Sequence, residues 1–98
     1  MTIEKTMTGT TAAMKIVGRL DTTTAPQLEA ELNASYAGVE KLILDFAELV
    51  YISSAGLRVL LAAQKTMNKQ GEMIIRNVNE TISEVFEITG FVDILTIE

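Results

Sequence analysis

The sequence has no cysteine, no histidine and no tryptophan. Without cysteine there is no disulfide, no thiolate nucleophile and no thiol redox chemistry. Without either cysteine or histidine, the usual zinc ligand sets are closed. The Ser–His–acid triad and imidazole base catalysis go with them. Aromatic residues make up only 5% of the chain, so a core must come from Leu, Ile, Val, Met and Ala. Proline occurs once, at Pro26, and the six glycines are scattered, so no linker or low-complexity run interrupts the chain.

Positive charge is also short. Eight Lys and Arg face thirteen Asp and Glu, a net charge of −5. That balance lacks the basic footprint of a nucleic-acid binder and a polybasic patch for anionic lipid. Apolar runs are brief: Leu57–Ala63 contains Arg58 and is far below a membrane span. Met1–Gly9 carries Glu4 and Lys5 and has no signal-peptide core. The expectation is a cytoplasmic protein with no nucleic-acid partner and no direct membrane insertion. What is present is 98 residues, 48% of them hydrophobic. This is enough for one domain, residues 1–98, burying about 60–70% of its unfolded surface.

Hydrophobic spacing divides the chain into short elements. Ile3–Thr8 and Thr11–Val17 read as paired strands across Gly9-Thr10. Thr22, Thr23 and Thr24 offer capping hydroxyls, and Pro26 suits a first helical turn. Ala25, Leu28, Leu32 and Tyr36 then follow helical spacing, predicting a helix over Thr24–Tyr36. Lys41–Phe46 reads as a central strand buried on both faces, followed by a loop over Ala47–Ile52. Ser53 and Ser54 open a helix that carries Leu57, Leu60 and Leu61, with Lys65 and Lys69 near its end and Gly71 beyond. Met73–Arg76 is a strand, and Asn77 or Asn79 caps a third helix ending at Gly90. Asp93–Ile97 reads as a last strand. The predicted class is α/β, in the order β-β-α-β-α-β-α-β, a mostly parallel sheet with helices packed on it.

No phosphate loop, dinucleotide fingerprint or nucleophile elbow is present. Asp45 and Glu48 are the one pair of neighbouring carboxylates near a strand end, where an Asp ordinarily caps a turn. The informative stretch is Leu44–Leu61, a buried strand leading through a loop to two hydroxyls at a helix start. Such a start presents unpaired N–H groups and favours an anion. Two readings stay open there. Ser53 and Ser54 cap the helix, worth about 0.5–2 kcal/mol. Alternatively one of them accepts a phosphate, which adds about −1.5 to −2 charges.

Asp45-Phe-Ala-Glu-Leu-Val-Tyr-Ile-Ser-Ser-Ala-Gly-Leu57 resembles the signature of bacterial anti-sigma factor antagonists, the STAS domain family. Gly18-Arg19-Leu20-Asp21 resembles that family's Gly-x-Leu-Asp, and Phe86–Phe91 resembles its C-terminal third. The likeness covers essentially the whole chain and implies a single STAS domain over 1–98. It implies that the unphosphorylated protein binds an anti-sigma factor that is a serine kinase, which frees the sigma factor. Phosphorylation then switches binding off, and a serine phosphatase resets it. By position the acceptor is Ser54, with Ser53 as a second candidate. The docking face implied comprises Asp21, Thr22, Thr23, Ser53, Ser54, Ala55, Gly56 and Arg58. Asp21 is also readable as a helix-capping carboxylate. Arg58 lies one turn after Ser54, within reach of a phosphate there. The family's frequent acidic residue before the acceptor is Ser53 here, and the position after Gly-Leu, often Gly, is Arg58. The resemblance implies no catalytic residue, no metal and no cofactor; the protein is not expected to be an enzyme. The alternative within the same fold is a regulatory subunit of a transporter or signalling scaffold without a phospho-switch. A nucleotide-binding module is a further alternative that no phosphate loop supports.

Overall fold

The computed structural model describes residues Met1–Glu98. Its elements run β1 (Thr2–Thr8), β2 (Thr11–Leu20), α1 (Ala25–Ser35), β3 (Lys41–Asp45), β4 (Leu49–Ile52), α2 (Ser54–Asn68), β5 (Glu72–Arg76) and α3 (Glu80–Thr89), then a 3-10 turn at Phe91–Asp93. β1 and β2 form an antiparallel hairpin in the register Thr8↔Thr11 to Thr2↔Val17. β3 lies parallel to β2, and β5 parallel to β3. The last residues of β2 change partner, so that Gly18–Leu20 runs parallel to β4. The sheet order is β1-β2-β3-β5, with β4 on β2.

Alternation along the strands makes one face of the sheet apolar. Met14 and Ile16 of β2, Leu42 and Leu44 of β3, and Met73 and Ile75 of β5 join Leu28 of α1, Leu60 of α2 and Phe86 of α3 in one core. Each such side chain removed from water contributes about 1.5–3 kcal/mol. The other face carries ion pairs: Lys15–Glu48 at 2.5 Å, Arg76–Glu98 at 2.8 Å and Lys41–Glu72 at 3.7 Å. Lys5 and Arg19 also pair, with Glu31 and Asp21. That leaves Arg58, Lys65 and Lys69 without a carboxylate, all in α2 or its C-cap. α2 itself contains no acidic residue. No helix is long and apolar enough to cross a membrane.

The α/β class and the mostly parallel sheet are as predicted, but the element order is corrected to β-β-α-β-β-α-β-α. Ala47–Ile52 is not all loop, since Leu49–Ile52 forms β4. Its buried residues, Leu49 and Ile52, are three apart, so the strand shows no alternation in sequence. Asp93–Ile97 is not a strand. Gly90 closes α3 in the left-handed region at φ 81°, where a residue without Cβ pays no penalty. The 3-10 turn follows and leaves room for a single parallel bridge, Ile97 to Ile75. β3 is central but buried on one face only, with Ile43 half-buried on the other. β2 runs beyond Val17 to Leu20. Asn79, not Asn77, caps α3 by accepting the Ile82 N–H at 2.9 Å.

Candidate functional site

β2 and β4 end side by side, with Leu20 opposite Ile52. α1 and α2 therefore start from neighbouring points at one end of the sheet. At the first start the Asp21 carboxylate is engaged through one oxygen. One of its oxygens accepts from the backbone N–H groups of Thr23 and Thr24 at 3.0 and 3.1 Å, and from the Thr23 hydroxyl at 2.7 Å. The Thr24 hydroxyl in turn accepts the Asp21 N–H at 2.8 Å. No side chain caps α1 itself, so the threonines do not cap it with their own hydroxyls as expected; the carboxylate instead closes the turn Asp21–Thr24 that leads into the helix. The Thr23 hydroxyl, followed by the N–H groups, holds the Asp21 carboxyl below the usual carboxylate range, against the opposing effect of desolvation.

At the second start Ser53 is the N-cap, with extended backbone at φ −100°, ψ 176°. Its N–H donates to the Leu20 carbonyl at 2.9 Å, tying it to β2. Its hydroxyl accepts the Gly56 N–H at 3.4 Å, a long capping contact. Ser54 is the first helical residue and is exposed. Its hydroxyl takes no part in the hydrogen bonds of the chain, and the N–H groups of Ser54 and Ala55 have no backbone partner. Gly56 is buried beneath the first turn of α2. A Cβ there would lie 2.7 Å from Leu20 Cγ and 2.9 Å from Ile52 Cγ1. The glycine lets the first turn of α2 close down on the two strand ends, and so it positions Ser54 from beneath.

Thr22, Ala55 and Arg58 line a shallow depression of about 200 Å³ between the two helix starts, with Ala25, Pro26, Glu29 and Val59. Asp21, Thr22, Ser53, Ser54, Ala55 and Arg58 are therefore gathered at one end of the molecule. Thr23 is exposed there too, with its hydroxyl turned to Asp21. Asp45 and Glu48 do not form an acid–base pair. Asp45 accepts from the Ala47 N–H and from Asn77 Nδ2, both at 2.9 Å, and the Asn77 bond leads in lowering its pKa. Glu48 is held by Lys15, whose own pKa it raises, first through that hydrogen bond and then through its charge.

Sequence reasoning did not single out Arg19, Val50 and Tyr51 as part of this end. Arg19 lies over the Tyr51 ring, 4.1 Å from its centroid. Both Val50 and Tyr51 are exposed. The available signal was the three-residue spacing between Leu49 and Ile52, which a regular strand cannot bury on one face.

The STAS domain pattern matches residues 2–98. BtrV of Bordetella bronchiseptica, described as an anti-sigma factor antagonist, is 43% identical over 82 residues, covering 82% of this chain and 71% of that protein. The anti-sigma-B factor antagonist of Listeria monocytogenes is 33% identical over 86 residues, covering 85% and 75%. The fold matches that of the Bacillus antagonist SpoIIAA, solved unphosphorylated and phosphorylated. The TM-scores are 0.78 and 0.77 at 21% and 22% identity, over 99% of this chain and 87% and 91% of those chains. A pattern spanning nearly every residue, and a sheet, helix order and helix start that agree with it, lead to one assignment: the chain belongs to the STAS domain family.

Proposed function

We propose that this protein is an anti-sigma factor antagonist acting as one domain in the cytoplasm, and that Ser54 is its switch. Unphosphorylated, it binds an anti-sigma factor of the serine-kinase type and frees the sigma factor. The kinase phosphorylates Ser54, and a serine phosphatase removes the group. The chain itself performs no reaction; it is acted upon.

The observation that carries the choice of residue is the contrast between two adjacent hydroxyls. That of Ser53 is turned inward to the Gly56 N–H, whereas that of Ser54 is exposed and uncommitted. A phosphate on Ser54 meets free N–H groups and the positive end of α2, so it leaves the helix intact. The helix start is preserved while the surface changes. A near-dianion enters the docking face, where it must be desolvated and opposes any carboxylate on the partner. Around it, Thr22, Ala55 and Arg58 supply contact area, and Asp21 and Gly56 hold the two helix starts in place.

The test combines kinase, ATP and this protein, followed by mass spectrometry. Phosphate at Ser54 is expected, and phosphate confined to any other residue rejects the assignment. In binding assays Ser54→Ala should hold the anti-sigma factor constitutively, and Ser54→Asp should lose affinity at least tenfold. Equal binding by the two variants rejects the charge switch.

A further inference from the structure

The pairing of β2 with β4 skips a residue. Gly18 faces Leu49, but Arg19 faces Tyr51 and Leu20 faces Ile52. Val50 has no partner on β2 and is the extra residue of a β-bulge. The bulge reconciles two burials that a regular strand forbids. Side chains three apart point to opposite faces, yet Leu49 and Ile52 are both buried in one core. Inserting one residue brings both inward, and the two residues between them turn out. Val50 is 62% exposed and Tyr51 40%. Bulges commonly re-aim side chains beside functional sites.

The outward pair is not bare. Arg19 stacks on the Tyr51 ring, which holds the ring in one orientation. The Arg19 guanidinium lies 3.7 Å from the Asp21 carboxylate, beyond hydrogen-bonding range, so its N–H donors remain available. Tyr51 and Ser54 are separated only by Ile52, which is buried, and Ser53, which is tied to Leu20. A body that covers Ser54 therefore lies against this patch as well. Tyr and Arg are the residue types that most often concentrate binding energy, and a preset aromatic loses little freedom on docking.

We infer that Val50 and Tyr51, with Arg19 stacked above the ring, form the anchor by which the chain grips its anti-sigma partner. The partner offers an apolar recess for the valine and the ring, bordered by a carboxylate or carbonyl that accepts from Arg19. Ser54 sets whether the contact forms, and the bulge sets how tightly it holds. This rests on the docking reading of Ser54 above.

The binding probe is the purified cognate anti-sigma kinase used to test Ser54. Tyr51→Ala should weaken binding ten- to a hundredfold and Val50→Asn about fivefold or more, with melting temperatures close to that of the parent because both side chains are exposed. Arg19→Lys keeps the charge but loses the planar stack, and should cost severalfold. In the kinase reaction these variants should raise KM and leave kcat nearly unchanged. A second measurement does not rely on weakening. The chain has no tryptophan, so Tyr51→Trp labelled with 5-fluorotryptophan gives a single 19F signal. That signal should shift and lose its solvent isotope effect when the complex forms. Affinities within twofold of the parent, or a 19F signal unchanged in a formed complex, overturn the anchor. If Ser54→Asp abolishes binding while Tyr51→Ala does not alter it, the anchor fails and the switch survives. If Tyr51→Ala abolishes binding while Ser54→Asp does not, the switch fails and the anchor survives.

Discussion

In the turn that leads into α1 a carboxylate gathers two backbone N–H groups and a hydroxyl. At the start of α2, a few ångströms along the same sheet end, a serine makes one long capping contact, and the next hydroxyl is left free. Both are helix N-termini with the same dipole sign, but at α1 Pro26 has no N–H and the Ala25 and Gln27 N–H groups already meet backbone carbonyls. The first is closed by the turn that leads into it and the second is left open. An N-terminus becomes available for modification when its cap is small and when the packing beneath it, rather than the cap, fixes the helix. Gly56 against Leu20 and Ile52 supplies that packing.

The strongest way to break the contrast is to remove the packing. Gly56→Ala places a methyl group inside 3 Å of two core side chains. It should destabilise the fold by about 1–3 kcal/mol in urea unfolding, as overpacked cores do. An unchanged midpoint would show that the α2 start is held by something else.

Next in size is the closed turn. Asp21→Ala should lower the melting temperature more than Ser53→Ala does. Its pH dependence has a definite sign. The Asp21 pKa is lowered in the folded state, led by the Thr23 hydroxyl. The stabilisation is therefore full above the unfolded-chain value of about 3.9, and fades as the pH falls through the lower folded value. The gap in melting temperature between parent and Asp21→Ala should be widest near neutrality and shrink as the pH falls below the ordinary carboxylate range. A gap that widens toward acid would contradict the capping role.

The smallest effects separate the two serines. Ser53→Ala removes a long cap and should cost about 0.5–1 kcal/mol while leaving Ser54 phosphorylated. Ser54→Ala should change stability by no more than about 0.5 kcal/mol and abolish phosphorylation. If Ser54→Ala proved the more destabilising of the two, the assignment of cap and acceptor would have to be exchanged.

Much of this was legible in the chain. α2 is announced by Ser53 and Ser54 before Leu57, by Lys65 and Lys69 late, and by Gly71 after it. The hairpin follows from alternation around Gly9. The parts that were not legible depend on contacts distant in sequence. β4 is hidden because its bulge removes the period-two signal, and the pair Leu49 and Ile52 makes sense only beside β2. The last strand was overread from Ile94, Leu95 and Ile97, since a left-handed Gly90 and a 3-10 turn consume the residues it needed. Gly56 reads as part of a surface motif until Leu20 and Ile52 are seen beneath it. The threonine run suggests hydroxyl caps and Asp21 a capping carboxylate; the fold shows Asp21 closing the turn before the helix.

The uneven placement of cations has a kinetic side. α2 and its C-cap carry Arg58, Lys65 and Lys69 with no acid, a charge of +3, so the remainder of a chain at −5 stands at −5 − 3 = −8. Such a molecule has a long-range field with direction, which a uniform −5 would not give. An approaching body is turned before it touches, and the rate of productive encounter responds to ionic strength. A phosphate on Ser54 brings −1.5 to −2 charges to the mouth of that same helix. It offsets half or more of the positive charge of α2 and its C-cap, so the modification slows arrival as well as spoiling the fit.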